Sequence, residues 1–296
     1  MISNEIKLSI DKLVLGTAQF SKGYGITNKK STNNEEIKKI LNYAKDISLK
    51  RIDTATSYGD SEKLIGEYNN SEFLISTKVL CPNKISNFDK DTFSKKFDIS
   101  LNKSKTKNFE TLFVHNANEF INDKKKVFFS HLQELKESGK IKKIGVSVYE
   151  PQEVYKLIEL YNIDTIQIPL NLFDQRFLEN EIYNFIQNSN IEVHIRSVFL
   201  QGILLSEFSE LPKSFYQWKD YFKYYDDWVK LHKINKITAC LNFVYDKFKD
   251  SLIIIGVNSL DNLKQIIENY IRFSLINSES LKVKNSKLTD PRKWKI

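Results

Sequence analysis

The chain has 296 residues, of which 41% are hydrophobic and 12% aromatic, and this composition provides a large core and excludes an intrinsically disordered protein. Its two cysteines exclude a disulfide-rich scaffold and a four-cysteine zinc site. The net charge of +8 comes from lysines spread along the whole chain, which favours solvated helix faces over a nucleic-acid-binding patch. Neither a signal-peptide pattern nor an apolar run of membrane-spanning length occurs, so we expect a cytoplasmic protein that binds no nucleic acid and no membrane.

Short apolar runs alternate with longer polar segments of helical periodicity along the chain. The predicted strands are Leu13–Leu15, Arg51–Asp53, Phe73–Thr77, Thr111–Val114, Ile144–Ser147, Thr165–Ile168, Glu192–Arg196 and Leu252–Ile255. The predicted helices are Asn34–Ser48, Asp60–Tyr68, Asp91–Ser104, Asn122–Ser138, Glu150–Tyr161, Glu179–Gln187, Trp228–Phe248 and Leu260–Phe273. Most of these strands are short and apolar on both faces, which is typical of buried parallel strands.

Eight strand–helix pairs fit either a closed barrel or a large open, doubly wound sheet. An open sheet that binds a dinucleotide would carry G-x-G-x-x-G after its first strand, whereas GTAQF (16–20) follows here. We therefore predict an α/β fold, a (β/α)8 TIM barrel that forms a single domain over residues 1–296. The aromatic-rich segment Phe199–Asp227 is predicted to be an elaborated loop after strand 7, which closes part of a substrate pocket together with the region after Ile276.

Four polar residues follow consecutive predicted strands, at the barrel face where active sites lie. Asp53 ends the second strand, Tyr58 lies in its loop, Lys78 ends the third strand and His115 ends the fourth. Each residue alone has an ordinary structural role, as a helix cap, a turn residue, a surface lysine or a core histidine. Their joint occurrence predicts one catalytic site. No metal is expected, because the four histidines lack H-x-H or H-E-x-x-H spacing.

These residue types favour one kind of chemistry. Tyrosine is a weak acid with an ordinary pKa near 10. An ammonium group beside it is expected to lower that pKa, and an aspartate would hold the lysine charged and oriented. A histidine in the same place can donate a hydrogen bond to a carbonyl oxygen. The set therefore suits protonation of an oxygen as hydride reaches its carbon, which is carbonyl reduction.

The sequence resembles the aldo-keto reductase family over nearly its whole length. The matching segments are LVLGTAQF (13–20), RIDTATSYGDSEKLIG (51–66), STK (76–78), LFVH (112–115), SGKIKKIGVS (138–147), IQIPLN (166–171) and IIIGVNSLDNL (253–263). The D-T-A-x-x-Y-G-x-S-E block is the most specific of them. The resemblance implies that Asp53, Tyr58, Lys78 and His115 are the catalytic tetrad of the family, with Tyr58 as the general acid/base.

The resemblance also implies a nicotinamide cofactor, NADP, with NAD as the alternative. Ser147 and Gln167 match residues that hold the nicotinamide carboxamide, and SVFLQGILL (197–205) matches a segment along the pyrophosphate. Arg196 replaces a tyrosine that stacks on the nicotinamide in many members, so it either stacks there or binds an anionic group. The residues expected at the cofactor are Gly16, Thr17, Ser147, Gln167, Arg196, Ser197, Phe199, Gln201, Gly202, Gly256, Asn258, Ser259 and Asn262.

The loop Asn258–Asn262 lacks the basic residue that commonly binds the 2′-phosphate of NADP. Free amides at the start of the following helix would still favour an anion, which predicts a weak preference for NADPH over NADH. The expected substrate is a small aldehyde or ketone. A likeness of LGTAQFSKGYGI (15–26) and RSVFLQGILL (196–205) to reductases of surface-sugar biosynthesis extends this class to a sugar or nucleotide sugar. The rival hypothesis is a regulatory barrel that binds nicotinamide without turnover.

Overall fold

A computed structural model describes residues 8–21, 32–69, 72–82, 88–121, 125–272 and 277–294. Its strands are β1 (Leu13–Gly16), β2 (Arg51–Asp53), β3 (Leu74–Val79), β4 (Phe109–Val114), β5 (Ile141–Ser147), β6 (Thr165–Pro169), β7 (Glu192–Arg196) and β8 (Leu252–Gly256). All neighbours are parallel, in the order β1 to β8, and β8 pairs with β1 to close the barrel. The predicted (β/α)8 barrel is therefore confirmed.

Helices connect the strands. They are α1 (Asn34–Asp46), α2 (Ser61–Tyr68), α3 (Lys90–Lys103), α4 (Ala117–Phe120), α5 (Lys126–Glu137), α6 (Pro151–Leu160), α7 (Asn180–Asn188), α8 (Lys219–His232), α9 (Lys236–Lys247), α10 (Leu260–Glu268) and α11 (Ser286–Thr289). Within the described segments, none of the helices combines the length and the apolar character needed to cross a bilayer.

Helix α1 shows how local sequence sets an element that later matters for the site. The side chain of Asn33 accepts a hydrogen bond from the Glu36 amide at 2.8 Å and so caps the helix start. Ile37, Ile40, Leu41 and Ala44 form its buried stripe, with helical spacing. The cap and the stripe together fix which side chains of the first turn face helix α10.

The long connection predicted after β7 contains three short 3₁₀ helices, at 200–202, 208–210 and 213–218, and its last residues, from Lys219 on, begin α8. The single helix predicted over Trp228–Phe248 is wrong, because Lys233 adopts a left-handed conformation with φ 53° and ends α8. Asn235 then caps α9 by accepting from the Thr238 amide at 2.8 Å. Apolar periodicity continues across this break and therefore does not reveal it.

Some predicted segments reach beyond the described residues. Residues 122–124 of the predicted helix Asn122–Ser138, residue 273 of the predicted helix Leu260–Phe273 and residues 22–26 of LGTAQFSKGYGI lie outside them.

The C-terminal segment 277–294 packs against the barrel. The Val283 amide donates to the carbonyl of Phe173 at 2.9 Å, which ties the segment to the loop after β6. The Trp294 ring lies 5.2 Å from the Phe215 ring, edge to face, and its indole nitrogen donates to the Leu288 carbonyl at 2.9 Å. These contacts hold the segment over the end of the barrel at which the strands finish.

Helices α2 and α3 touch at Gly66, where a Cβ atom would lie 1.9 Å from the carbonyl oxygen of Lys103. We expect Gly66→Ala to lower the free energy of unfolding by about 1–3 kcal/mol, because the backbone of α3 has to shift to admit the methyl group. Lys63→Ala, at an exposed position of the same helix, is the control and should change it by about 0.5 kcal/mol or less. Urea unfolding measures both variants, and equal midpoints for Gly66→Ala and the parent protein would contradict the close contact.

Candidate active site

The four residues predicted to be catalytic lie together at the carboxyl ends of β2, β3 and β4. Lys78 Nζ lies 5.3 Å from the centre of the Tyr58 ring, and the rings of Tyr58 and His115 are 6.0 Å apart, edge to face. All four line one cavity of about 720 Å³. The juxtaposition follows from the barrel, because parallel strands bring their carboxyl ends to one rim.

Asp53 and Lys78 form a buried ion pair, with 4% and 2% of each residue exposed. Lys78 Nζ donates to Asp53 Oδ1 at 2.5 Å and to the carbonyl oxygen of Thr54 at 3.1 Å. The other carboxylate oxygen, Oδ2, accepts a hydrogen bond from Gln167 Nε2 at 2.9 Å. Both charges are therefore paired and held in place, as burial of an ion pair requires.

The pKa of Tyr58 is shifted in the direction opposite to the predicted one. Burial raises the pKa of Tyr58 above its ordinary value, and the carboxylate of Asp53 raises it further, while Arg196 opposes both. Any lowering by the Lys78 ammonium, which is paired with Asp53, is outweighed by burial and by the Asp53 carboxylate. The phenol of Tyr58 consequently stays protonated throughout the neutral pH range and is available as a proton donor.

Burial together with the positive charges of Lys78 and Arg196 lowers the pKa of His115 to about 4. His115 is therefore neutral at pH 7 and carries one N–H. Its Nδ1 atom lies 3.4 Å from the hydroxyl of Ser57. A neutral imidazole beside a phenol can donate or accept one hydrogen bond but adds no charge of its own.

Most residues expected at the cofactor line the same cavity. Eleven of the thirteen do so: Gly16, Ser147, Gln167, Arg196, Ser197, Phe199, Gln201, Gly202, Gly256, Asn258 and Asn262. The hydroxyl of Thr17 instead donates to the carbonyl oxygen of Asp53 at 3.1 Å, and Ser259 caps α10 by accepting from the Asn262 amide at 3.1 Å. These two side chains hold backbone in place rather than forming the cavity wall.

The segment after β7 has an unusual backbone. Ser197, Leu200 and Gln201 all have positive φ angles, of 61°, 46° and 54°, and Gly202 follows at 92°. Such angles are rare for residues with a side chain, each costs on the order of 1–3 kcal/mol, and they cluster at ligand sites. Ser197, Gln201 and Gly202 all lie on the cavity wall.

The start of α10 is occupied by a carboxylate. Glu36 Oε1, from the first turn of α1, accepts a hydrogen bond from the Leu260 amide at 2.7 Å. Since Ser259 accepts from the Asn262 amide, two amides of this first turn already have acceptors. The expectation that these amides are open to a 2′-phosphate is therefore corrected.

Comparison with known families decides the class of the protein. The sequence profile described as the Aldo/keto reductase family matches residues 12–284. The chain belongs to this family. It is accordingly an oxidoreductase, and members of the family generally use NAD(P)H and act on small carbonyl substrates.

Solved aldo-keto reductases share its fold at low sequence identity. One from Bacillus halodurans, in its holo form, is 16% identical with a TM-score of 0.72, and the match covers 98% of this chain and 100% of that one. A glycerol dehydrogenase from Gluconobacter oxydans is 17% identical with a TM-score of 0.67, covering 98% and 97%. An aldo/keto reductase from Brucella melitensis is 21% identical with a TM-score of 0.62, covering 95% and 97%. No protein of curated function matched the sequence.

Several residues of the aldo-keto reductase cavity were not predicted. Tyr149 stands two residues beyond β5, so the strand-exit rule that found Asp53 could also have found it. Arg176 follows β6 at a greater distance, and Arg292 comes from the C-terminal segment. No sequence pattern signals these two arginines, because tertiary packing alone brings them to the cavity.

The neutral state of His115 can be tested by NMR. We expect its imidazole to titrate near pH 4, well below the ordinary value of 6.5, because folding buries it beside two cations. Unfolded chains take up a proton near pH 6.5 and the folded chain does not, so this residue's contribution to stability falls as the pH drops from 6.5 to 4. Arg196→Gln should raise the His115 pKa, and His115→Gln assigns the signal. Titration near 6.5 would contradict the buried, cation-flanked environment.

Proposed function

We propose that this aldo-keto reductase reduces a carbonyl with Tyr58 as the proton donor, assisted by Lys78, Asp53 and His115. The observation that carries the proposal is the convergence of the phenol, the buried ion pair and a neutral imidazole in one cavity. Tyr58 and His115 are both uncharged at neutral pH, which suits carbonyl reduction.

Bound NADPH or NADH would supply the hydride that adds to the carbonyl carbon and would leave as the oxidised nicotinamide. Tyr58 gives its phenolic proton to the carbonyl oxygen as the C=O π pair moves onto that oxygen, which completes the alcohol. The Tyr58 phenolate then regains a proton from solvent. Because the resting phenol has a raised pKa, it enters the reaction protonated.

Lys78 stabilises the phenolate that forms when the proton leaves, because its ammonium lies 5.3 Å from the ring. Asp53 pairs with that ammonium and fixes its position through the buried hydrogen bond. His115 is proposed to orient the carbonyl oxygen by a hydrogen bond. Its low pKa makes it a poor proton source at neutral pH.

The cavity fits a nicotinamide dinucleotide in size and lining. Its volume of about 720 Å³ lies within the range for cofactor sites, and it reaches from Tyr58 to Asn262 at the start of α10. The backbone beside it bends through Leu200 and Gln201, which have positive φ angles. The proposed cofactor residues are Gly16, Thr17, Ser147, Gln167, Arg196, Ser197, Phe199, Gln201, Gly202, Gly256, Asn258, Ser259 and Asn262.

The proposal also covers the domain organisation, the cellular location and the class of substrate. The residues 1–296 are taken as a single barrel domain in the cytoplasm, acting on a small aldehyde or ketone. Sugars and nucleotide sugars stay within this class on the sequence likeness alone. The regulatory barrel without turnover is not favoured, because the polar groups needed for proton transfer stand together in the cavity.

Tyr58→Phe keeps the ring and removes the proton donor. We expect kcat for reduction of nitrobenzaldehyde to fall by about 10² or more, with cofactor dissociation constants little changed. Tyr155→Phe, at a tyrosine on α6 that is 37% exposed, is the matched control and should keep full activity. A Tyr58→Phe enzyme with most of its activity would remove Tyr58 from this role, and a wild-type protein that binds cofactor without turnover would support the rival.

The preference for NADPH over NADH tests whether the amides at the start of α10 are available to the 2′-phosphate. We expect the wild-type protein to prefer NADPH over NADH by about tenfold or less, a difference of about 1.4 kcal/mol, because Glu36 occupies the first amide. Asn258→Arg and, separately, Glu36→Gln should each strengthen NADPH binding while leaving NADH binding nearly unchanged. Tryptophan fluorescence titration gives all the dissociation constants. A wild-type preference above about a thousandfold would show that a cation reaches the 2′-phosphate.

A further inference from the structure

Three arginines line the cavity that holds Tyr58 and His115. They come from different parts of the chain: Arg196 ends β7, Arg176 follows β6, and Arg292 lies in the C-terminal segment. Arg176 and Arg196 are partly buried and Arg292 is exposed, so the partners of each guanidinium decide how much positive charge acts in the cavity.

Two of the three are neutralised by carboxylates. Arg176 donates to both oxygens of Asp174, at 2.8 and 2.9 Å, and Arg292 donates to both oxygens of Asp290, at 2.9 and 2.7 Å. Glu150 lies between them and accepts from Arg176 at 2.7 Å and from Arg292 at 3.4 Å. These arginines therefore belong to a closed ion-pair network.

Arg196 is outside this network. No carboxylate among the described residues lies within 4.0 Å of its guanidinium. Its Nη2 donates to the carbonyl oxygen of Val148 at 3.0 Å, and its Nη1 lies 3.4 Å from the hydroxyl of Ser197. Its Nε atom is buried and has no acceptor within the described part of the chain. The arginine thus keeps a positive charge that these contacts leave unneutralised.

The side chain is also held in place. Its guanidinium carbon lies 4.2 Å from the centre of the Tyr149 ring, which the Arg292 guanidinium contacts as well, at 3.9 Å. Stacking on an aromatic ring orients the planar group and lowers the entropy lost when it binds a ligand. A guanidinium fixed in this way is suited to a carboxylate or phosphate, which it binds through two parallel hydrogen bonds.

Arg196 is close to the groups proposed to react. It lines the same cavity as Tyr58 and His115, and its positive charge lowers the pKa of both. An anionic group at Arg196 and a carbonyl at Tyr58 would therefore lie in the same cavity.

We propose that the substrate carries an anionic group, a carboxylate or a phosphate, and that Arg196 binds this group while the carbonyl lies at Tyr58. The proposal rests on the proposed function and adds the substrate class. It explains why one cavity arginine is stacked in place and left without a carboxylate, while its two neighbours are fully paired.

A matched aldehyde series tests the proposal. The wild-type enzyme should reduce 4-carboxybenzaldehyde or 4-formylphenyl phosphate with a kcat/KM about ten- to a hundredfold above that for methyl 4-formylbenzoate, as expected for charge-assisted hydrogen bonds. The methyl ester keeps the carbon skeleton of the acid and removes its charge. Comparing kcat/KM for the phosphate with kcat/KM for the carboxylate shows which of the two anionic groups the site prefers.

Arg196→Gln should remove most of this ratio by slowing the charged aldehydes more than the methyl ester, and circular dichroism checks that the variant is folded. Arg196→Lys should retain part of the ratio, because a point charge replaces the planar fork. Arg272→Gln, at an exposed arginine outside the cavity, makes the same change in net charge and should leave the ratio as in the wild type. In calorimetric titrations of the cofactor-free proteins, benzoate should bind most tightly to the wild type, less tightly to Arg196→Lys and least tightly to Arg196→Gln.

Equal kcat/KM values for the acid, the phosphate and the ester in the wild type would overturn the proposal. A ratio that survives Arg196→Gln would do the same. If Arg196→Gln weakens NADPH and NADH binding at least tenfold but keeps the ratio, the arginine serves a cofactor anion instead. Failure to reduce any of the aldehydes, the ester included, would count against the proposed function itself.

Discussion

The carboxylate of Asp53 is the point on which the geometry of the candidate site depends. Its side chain accepts from Lys78 on β3 and from Gln167 on β6, and its carbonyl oxygen accepts from Thr17 after β1. One residue at the end of β2 therefore links three other parts of the barrel rim. Breaking a buried ion pair by removing one partner costs about 3–5 kcal/mol, so this link holds the reacting groups in register.

That pair also sets the electrostatics around it. Because burial and the nearby Asp53 carboxylate both raise the pKa of Tyr58, its phenol stays protonated at neutral pH. The positive charge that acts outward into the cavity is then that of Arg196, which has no carboxylate of its own among the described residues. The site thus combines a neutral acid, a neutral imidazole and one oriented cation, which suits a neutral carbonyl attached to an anionic group.

At the other end of the cavity, beside α10, the main features are an unusual backbone conformation and a carboxylate at the helix start. There the backbone between Ser197 and Gly202 is bent through several left-handed residues, and Glu36 occupies the start of α10. A negative side chain at a helix start is stabilising by about 0.3–1 kcal/mol and competes with any anionic ligand for the same amides. Arg196 on the cavity wall thus brings a cation to the side of Tyr58, whereas Glu36 brings a carboxylate to the start of α10.

The sequence by itself determined the barrel, the eight strands and the four residues at consecutive strand exits, because strand ends are local features and parallel strands carry them to one rim. Through the family resemblance it also indicated eleven further residues of the cavity wall. The tertiary structure alone decided the protonation states of Tyr58 and His115, since burial and pairing depend on neighbours distant in sequence. It likewise decided that Glu36 reaches α10 from 224 residues away, and that Arg176 and Arg292 are paired while Arg196 is not. Such pairings are made through space, and no local pattern of residues encodes them.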